Sequence, residues 1–451
     1  MPEAKDLIYL LVWLAVGLLA FLTASGRRWC GVGLALAFFV NMMVDHWFGA
    51  LVSFLPWYTP AAGLWTVERG FELSTLGIVA YAIGCFGIAP FIFSRGGEAE
   101  MGISPPPSPR IIKGFLIVGL VGYLGMAAGL GRLGSATAFL GTCFFFLLVS
   151  ICIGLWHANV RGDSRRLYML LLATSFMPVI TLLTQGFLSF GIGYAVLVLS
   201  FFVVLYKRRL RLALVLMVLM YLALSIFVTY MRDRHAIRST IWGGKDYGTR
   251  VAQLAETFQT MEWFNPLEPK HLARIDDRLN LNWLVGAAAG HLELTRSFAH
   301  GETIHQAALA LIPRAIWPEK TVSAGGVEMV SRYTGIIFDP DQTVAPGLVF
   351  EFYVNFGTWG VFGGLLLMGI LVGVTDRKAG FSLRTGGIYA FAMWFLIGIS
   401  LLAVESSLVA IVPGLIAPVL VTGLVRLILG PEDVVATPES IAPSLVESSK
   451  S

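Results

Sequence analysis

The sequence predicts an all-α polytopic integral membrane protein of about eleven transmembrane helices, with one large extracytoplasmic loop containing amphipathic helices. Three observations predict it. The 451 residues are 56% hydrophobic and only 13% charged, with a mean hydropathy of +0.76, a balance typical of membrane proteins and not of a soluble core. Apolar stretches of the roughly 20 residues that a helix needs to cross a bilayer recur from Leu7 to Leu429. Lys and Arg fall on alternate connections, as they do when basic loops are retained inside.

Taken in order, the first apolar run, 7–24, follows an acidic start (Glu3, Asp6) and precedes Arg27 and Arg28. A signal peptide has the reverse charge order, so this run reads as a first span. Further spans are expected at 30–52, 73–93, 114–131, 136–156, 167–185, 188–206, 210–231, 346–374, 387–404 and 408–429. The run from Leu167 to Tyr206 is too long for one helix, and Gln185-Gly186 splits it by a tight turn. In the ninth span Gly363, Gly364, Gly369 and Gly373 allow close helix packing. The Pro-rich stretch from Pro105 to Pro109 reads as an extended connector, and the Ser/Pro/Glu-rich tail after Pro431 as disordered. The domains are thus 1–231, a membrane domain of about eight spans; 232–345, the large outer loop; 346–429, about three further spans; and 430–451, a cytoplasmic tail.

The charge count sets the orientation. Seventeen Lys and Arg lie on one set of connections (Arg27, Arg28; Arg95, Arg110, Lys113; Arg161, Arg165, Arg166; Lys207, Arg208, Arg209, Arg211; Arg377, Lys378, Arg384; Arg426, Lys450), against Lys5, Arg69 and Arg132 on the short opposite ones. The N-terminus is therefore expected outside, the tail inside, and the large loop on the outer, periplasmic face of a bacterial cytoplasmic membrane. The formal net charge of +4 reflects this topology and does not imply nucleic acid. Cys30, Cys85, Cys143 and Cys152 fall in or beside apolar stretches and read as packing residues, with no disulfide framework or metal cluster.

The loop concentrates the polar residues: 12 of 32 basic side chains, 13 of 28 acids and five of seven histidines. A loop of this length with its own structure is usually functional. From Tyr247 to Phe264, Val251, Leu254, Ala255, Phe258 and Met261 recur at a helical period with one apolar stripe, suited to a membrane surface or to capping a cavity, and Asn265-Pro266 ends it. The stretch 280–294 is more apolar and suits a re-entrant helix. A further helix is expected from Glu302 to Ile312, stopped by Pro313. His291, Glu293, His300, Glu302 and His305 lack the i, i+4 pair of a zinc helix, so no metal is expected.

The most distinctive segment reads Ile312-Pro313-Arg314-Ala315-Ile316-Trp317-Pro318-Glu319-Lys320, then Pro346, then Phe350-Glu351-Phe352-Tyr353-Val354-Asn355-Phe356-Gly357 and Gly360 at the mouth of a span. This pattern resembles the outer loop of the oligosaccharide repeat unit polymerases, the Wzy-type or O-antigen polymerase family, sharply over about 60 residues. The resemblance implies a membrane glycosyltransferase that joins polyprenyl-diphosphate-linked oligosaccharides into a polysaccharide. It implies no cofactor, and a chain-length regulator and a flippase of the same pathway as partners.

Such chemistry needs fixed positive charge at the departing diphosphate and a base near the acceptor hydroxyl. The motif maps the first role onto Arg314, assisted by Lys320, since guanidinium binds phosphate oxygens bidentately; a helix cap is the bland alternative. Glu351 is the candidate base or sugar-binding acceptor, against a structural ion pair. His291 is a candidate catalytic histidine. Asn355 and Tyr353 suit sugar hydroxyls, and Trp317, Trp263 and Tyr353 suit stacking on sugar faces, although interfacial aromatics also serve as belt residues. Arg232, Arg234, His235 and Arg238 leave the eighth span as a second diphosphate candidate or as a solvated stop. Asp45 and His46, with Glu68 and Glu72, are a further base candidate by position. Two other functions fit the architecture: an O-antigen ligase type of transferase, with the same donor and a different acceptor, and a transporter of lipid-linked sugars. Transporters favour repeated halves and charged or broken helices at mid-membrane, whereas the spans from 114 to 231 hold acids and bases only at their ends.

Overall fold

A computed structural model describes residues 3–24, 30–93, 108–128, 136–206, 209–312, 317, 326–339, 342 and 344–432. Most of the expected Pro-rich connector, the tail beyond Glu432, Arg314 and Lys320 lie outside these residues. Among the described residues every regular element is helical. Eight long helices come first: α1 (Ala4–Ala24), α2 (Leu34–Ser53), α3 (Leu64–Ile92), α4 (Pro109–Ala127), α5 (Ala136–Val160), α6 (Ser164–Gln185), α7 (Leu188–Leu205) and α8 (Arg209–Trp242). The loop carries α9 (Tyr247–Gln259), α10 (Pro269–Asp276), α11 (Asn282–Thr295), α12 (Glu302–Ala310) and α13 (Gly326–Thr334). The chain then forms α14 (Leu348–Arg384), α15 (Ile388–Leu401) and α16 (Leu408–Leu429).

Ten of these helices are long and apolar enough to cross a membrane, which makes the chain a multi-pass membrane protein. The tenth expected span, 387–404, corresponds to α15, whose 14 residues extend only about 21 Å. The turn at Gln185-Gly186 is present, with Gly186 in the left-handed conformation (φ 77°). Gly369 and Gly373 of α14 lie against Tyr81, Cys85 and Ala89 of α3, the close packing expected of them. All four cysteines are buried.

Three helix boundaries differ from expectation, each for a packing reason. α3 starts at Leu64, so Glu68, Arg69 and Glu72 stand on a helix whose apolar side, Val67 and Phe71, is fully buried. α8 does not end at Met231 but continues to Trp242, because Tyr230, Ile237 and Ile241 pack on Leu182, Leu188 and Leu254. α14 is interrupted near its start at Phe356 (φ −139°, ψ 20°) and Gly357 (φ 61°, ψ −147°), the latter a conformation that only glycine adopts readily. The apolar loop helix α11 is buried between α3 and α14 with Val285, Ala288, Ala289 and Leu292 inward.

Candidate functional site

The loop is fastened to the bundle at a winding irregularity in α2. Residues Met43–Trp47 form a π-helical turn, whose wider spacing frees main-chain carbonyls for outside partners. The loop takes two of them: the Leu281 N–H donates to the Asp45 carbonyl (2.8 Å), and Asn282 Nδ2 to that of His46 (2.7 Å). Fully buried Asn282 also receives His46 Nδ1 (2.8 Å) and Ser74 Oγ (3.0 Å) on its Oδ1. Its Nδ2 reaches Asn280 Oδ1 as well (2.9 Å). From Asn280 the network runs to Asp276 Oδ1 (2.6 Å), and the Tyr58 hydroxyl donates to Asp276 Oδ2 (2.9 Å). Burial, reinforced by the Asp276 carboxylate, pushes the Tyr58 phenol far above its ordinary range.

Backbone contact sets α11 beside this junction. A Cβ on Gly286 would come 1.8 Å from the Thr66 carbonyl oxygen, and one on Gly70 would come 1.9 Å from that of Asn282. The crossing of α3 and α11 therefore requires glycine at both positions.

Asp45, within the π turn, is half-buried. Its carboxylate accepts no hydrogen bond from a described residue and lies in the electrostatic field of Glu405. Glu405 belongs to the turn between α15 and α16, and that turn is held by the start of α14: Gly347 N–H donates to the Glu405 carbonyl (3.0 Å) and Leu348 N–H to that of Val404 (2.9 Å). Burial pushes the Glu405 carboxyl up. An unpaired carboxylate of this kind, partly open to its surroundings, is chemically suited to accept a proton.

The first two turns of α14, which carry the distinctive motif, form a buried joint. Glu351 is fully buried; its Oε2 accepts the Leu408 N–H (2.6 Å) at the first turn of α16, as an N-terminal cap does, while Oε1 accepts no hydrogen bond among the described residues. Asn355, also fully buried, accepts the Gly301 N–H on Oδ1 (2.9 Å) and donates through Nδ2 to Thr303 Oγ1 (2.8 Å) and the Glu351 carbonyl (2.7 Å). Its amide is thus committed to the N-terminal end of α12 and to its own helix. Tyr353 is buried with its ring against Phe298, 6.2 Å between ring centres. The half-buried His291 packs on Gly335 and makes no ring hydrogen bond to a described residue. Trp317 is 43% exposed. The structure brings Glu351, Tyr353 and Asn355 together, but as interior contacts.

The arginines on the extension of α8 divide into two sets. Arg232 pairs with Asp233 (2.8 Å) and Glu262 (3.1 Å) and donates to Thr257 and Thr260, which ties α8 to the end of α9. Glu262 also receives Arg274 and His271. Burial opposes its ionisation, but these donors prevail and bring its carboxyl down to about 2. The second set forms no ion pair among the described residues. Arg238 lies over the rings of Phe187 (4.5 Å) and Trp242 (5.2 Å), and Arg234 stands one turn before it. Arg274 Nη1 donates to the Val228 carbonyl (3.1 Å), which lays α10 along α8 and carries Arg278 into the field of Arg234 and Arg238. Burial and the Arg238 charge lower the Arg278 guanidinium below its ordinary value, offset in part by neighbouring Asp277. No described carboxylate stands within ion-pair distance of Arg234, Arg238 or Arg278. Guanidinium groups gathered with Asp277 as a nearby acid but with no direct ion pair among the described residues suit phosphate oxygens. Arg278 is three residues before Leu281, so at most about 11 Å of extended chain separates this cluster from the Asp45 turn.

Of these residues, Arg278, Asn280, Asn282 and Glu405 escaped the sequence reading. The alternation Leu279-Asn280-Leu281-Asn282 ahead of an apolar helix was an available signal for the two asparagines, as was the lone acid Glu405 between two spans for the carboxylate pair. A family model described as Domain of unknown function (DUF8712) matches residues 134–397, which takes in the loop, the arginines and Glu351 and leaves Asp45 and Glu405 outside. No curated protein and no solved structure matches the chain.

Proposed function

The chain belongs to the family defined by the domain of unknown function DUF8712, and from that premise, which brings no activity with it, we propose a membrane glycosyltransferase that joins polyprenyl-diphosphate-linked oligosaccharide repeat units into a polysaccharide. A hydroxyl of one lipid-linked oligosaccharide attacks the anomeric carbon of another. The new C–O bond forms as the bond to the diphosphate breaks, the electron pair leaves with polyprenyl diphosphate, and the hydroxyl proton passes to a base. Arg234, Arg238 and Arg278 stabilise the leaving diphosphate, worth most where they need not reorganise. Asp45 takes the proton, with Glu405 beside it. The base is assigned to Asp45 over Glu351, which caps α16, and over His291, which packs on Gly335. Arg314 and Lys320 join the diphosphate contacts on the strength of their motif. In this reading the loop faces the periplasm of a bacterial cytoplasmic membrane, and the flippase and chain-length regulator of the pathway are its partners.

The observation that carries the reading is the joining of an arginine cluster that forms no ion pair among the described residues to a carboxylate that accepts no hydrogen bond from them, across three residues of loop. The test is glycan length in cells of the source organism lacking the gene, complemented with the unaltered chain, Asp45→Asn, or Arg234→Ala with Arg278→Ala. Single repeat units in place of a long ladder, at normal protein level in the membrane, are expected for the deletion and both variants. A full ladder in the deletion strain overturns the proposal.

A further inference from the structure

One helix of the bundle stands apart from the others. Between residues 213 and 223 of α8 no residue is buried, and all but Leu216 are well exposed, Leu214, Met217 and Val218 by 56%, 62% and 67%. Eleven consecutive residues make three full turns, so the exposed apolar surface is wider than one lipid-facing stripe and runs round the helix except where Leu216 meets the core. The next turns are different: Leu224 and Phe227 pack on Val52, Phe48, Leu272 and Ile275, and Tyr230 on Leu182 and Leu188. α8 is therefore packed on several elements at its loop end, whereas the half away from the loop touches the core only through Leu212 and Leu216 and exposes the rest of its apolar surface. Arg234, Arg238 and Arg278, which form no ion pair among the described residues, stand at the loop end, about 30 Å along the helix from residue 213. Tyr221 and Trp263 stack in parallel between the two regions, ring centres 6.2 Å apart and both exposed.

We propose that the exposed half of α8, residues 213–223, is the bed for the isoprenoid chain of a polyprenyl phosphate lipid whose phosphate head sits at Arg234, Arg238 and Arg278. Charge complementarity selects the occupant: a long apolar chain ending in phosphate matches a long apolar face ending in three guanidinium groups. Zwitterionic lipids have no use for that charge, and a helix of another protein leaves it unpaired. The exposed surface lets the chain enter laterally from the membrane. The inference rests on the proposed transferase for the identity of the lipid, and its test is independent of glycan synthesis.

The full chain is placed in phosphatidylethanolamine–phosphatidylglycerol nanodiscs and irradiated with a sugar-free polyprenyl monophosphate bearing a diazirine at the distal end of its chain. A phosphatidylglycerol with a diazirine on its acyl chain serves as control, and labelled peptides are located by mass spectrometry. Labelling of 213–223 several-fold higher with the polyprenyl probe, lost in Arg234→Ala/Arg278→Ala, is the expected result. Equal labelling by both probes marks ordinary membrane lipid and overturns the inference. Because the four native cysteines are buried, Val218→Cys provides an accessible thiol here, and disulfide formation between two copies on mild oxidation overturns it in favour of a second chain. Selective labelling together with a full glycan ladder in the deletion strain leaves the lipid bed standing and the transferase reading refuted.

Discussion

Replacing Asn282 by leucine removes an amide at nearly constant volume from the centre of the loop–span junction. Asn282 makes four hydrogen bonds. Ser74 keeps another acceptor in the Phe71 carbonyl (3.1 Å), so three groups are orphaned: His46 Nδ1, the His46 carbonyl and Asn280 Oδ1. Interhelical hydrogen bonds in membranes average only about 0.6 kcal/mol, whereas a buried polar group stripped of its partner costs about 1–3 kcal/mol. With Asn282 and His46 at 0% and 2% exposure, the second figure governs. Its low end for each of three groups gives roughly 3 kcal/mol, about two decades in the folding equilibrium. The assay is equilibrium denaturation in detergent, followed by tryptophan fluorescence, for Asn282→Leu, His46→Phe and the double variant. Removing both partners leaves fewer orphans than removing one, so the double variant should lose at least about 1 kcal/mol less than the sum of the two single losses. Strict additivity, or a loss below about 1 kcal/mol for Asn282→Leu, refutes the hydrogen-bond argument. Since Asn282 also holds Arg278 near Asp45, glycan polymer should fall further than in Val285→Ala, a nearby core truncation.

Four other outcomes follow from the same geometry. Glu262 ionises at about 2 when folded against an ordinary 4.5, so its ion pairs stabilise the fold above pH 4.5 and lose that effect as pH falls toward 2. Acid titration of stability should therefore be flatter over this window in Glu262→Gln than in the unaltered chain. Gly70→Val or Gly286→Val forces α3 and α11 apart and should abolish monodisperse protein on size-exclusion chromatography. Glu351→Gln retains an acceptor for the Leu408 N–H and should keep both stability and polymer, whereas Glu351→Ala should lose about 1–2 kcal/mol as a missing cap does; loss of polymer in stable Glu351→Gln would return the base to Glu351. Arg314→Ala should abolish polymer at normal membrane level, and a full-length ladder in that variant removes Arg314 from the site.

The spans were readable because roughly 20 consecutive apolar residues admit few alternatives, and the turn at Gly186 because glycine alone relieves the left-handed backbone there. What eluded reading depends on partners distant in sequence. The first turns of α3 carry Glu68, Arg69 and Glu72 and look like loop until α11 packs beside them and Tyr9, Trp13 and Phe54 surround Phe71. The charged end of α8 looks like a stop until Ile237 and Ile241 meet Leu182 and Leu254. The motif from Phe350 to Gly357 was legible as a unit, but the engagement of Asn355 with Gly301 and Thr303, and of Glu351 with Leu408, was not. A polar residue has the same letter whether its hydrogen bonds face a ligand or the protein's own backbone. Asp45 was legible by position alone; Glu405 and Arg278, which complete its surroundings, are brought there only by tertiary contacts.

The break at Phe356 and Gly357 bears on how the protein meets membranes of unequal thickness. Beyond it, the apolar stretch 358–375, ahead of Asp376, Arg377 and Lys378, runs about 27 Å as a helix, close to the roughly 30 Å of a hydrocarbon core, so a thinner bilayer is met by tilting. The short head before the break is held by other parts of the chain: Glu351 by Leu408, Asn355 by Gly301 and Thr303, Leu348 by Val404. A change in lipid length can therefore swing the long rod about Gly357 while the head keeps its bearings, so the Glu405 turn is insulated from the bilayer that surrounds it.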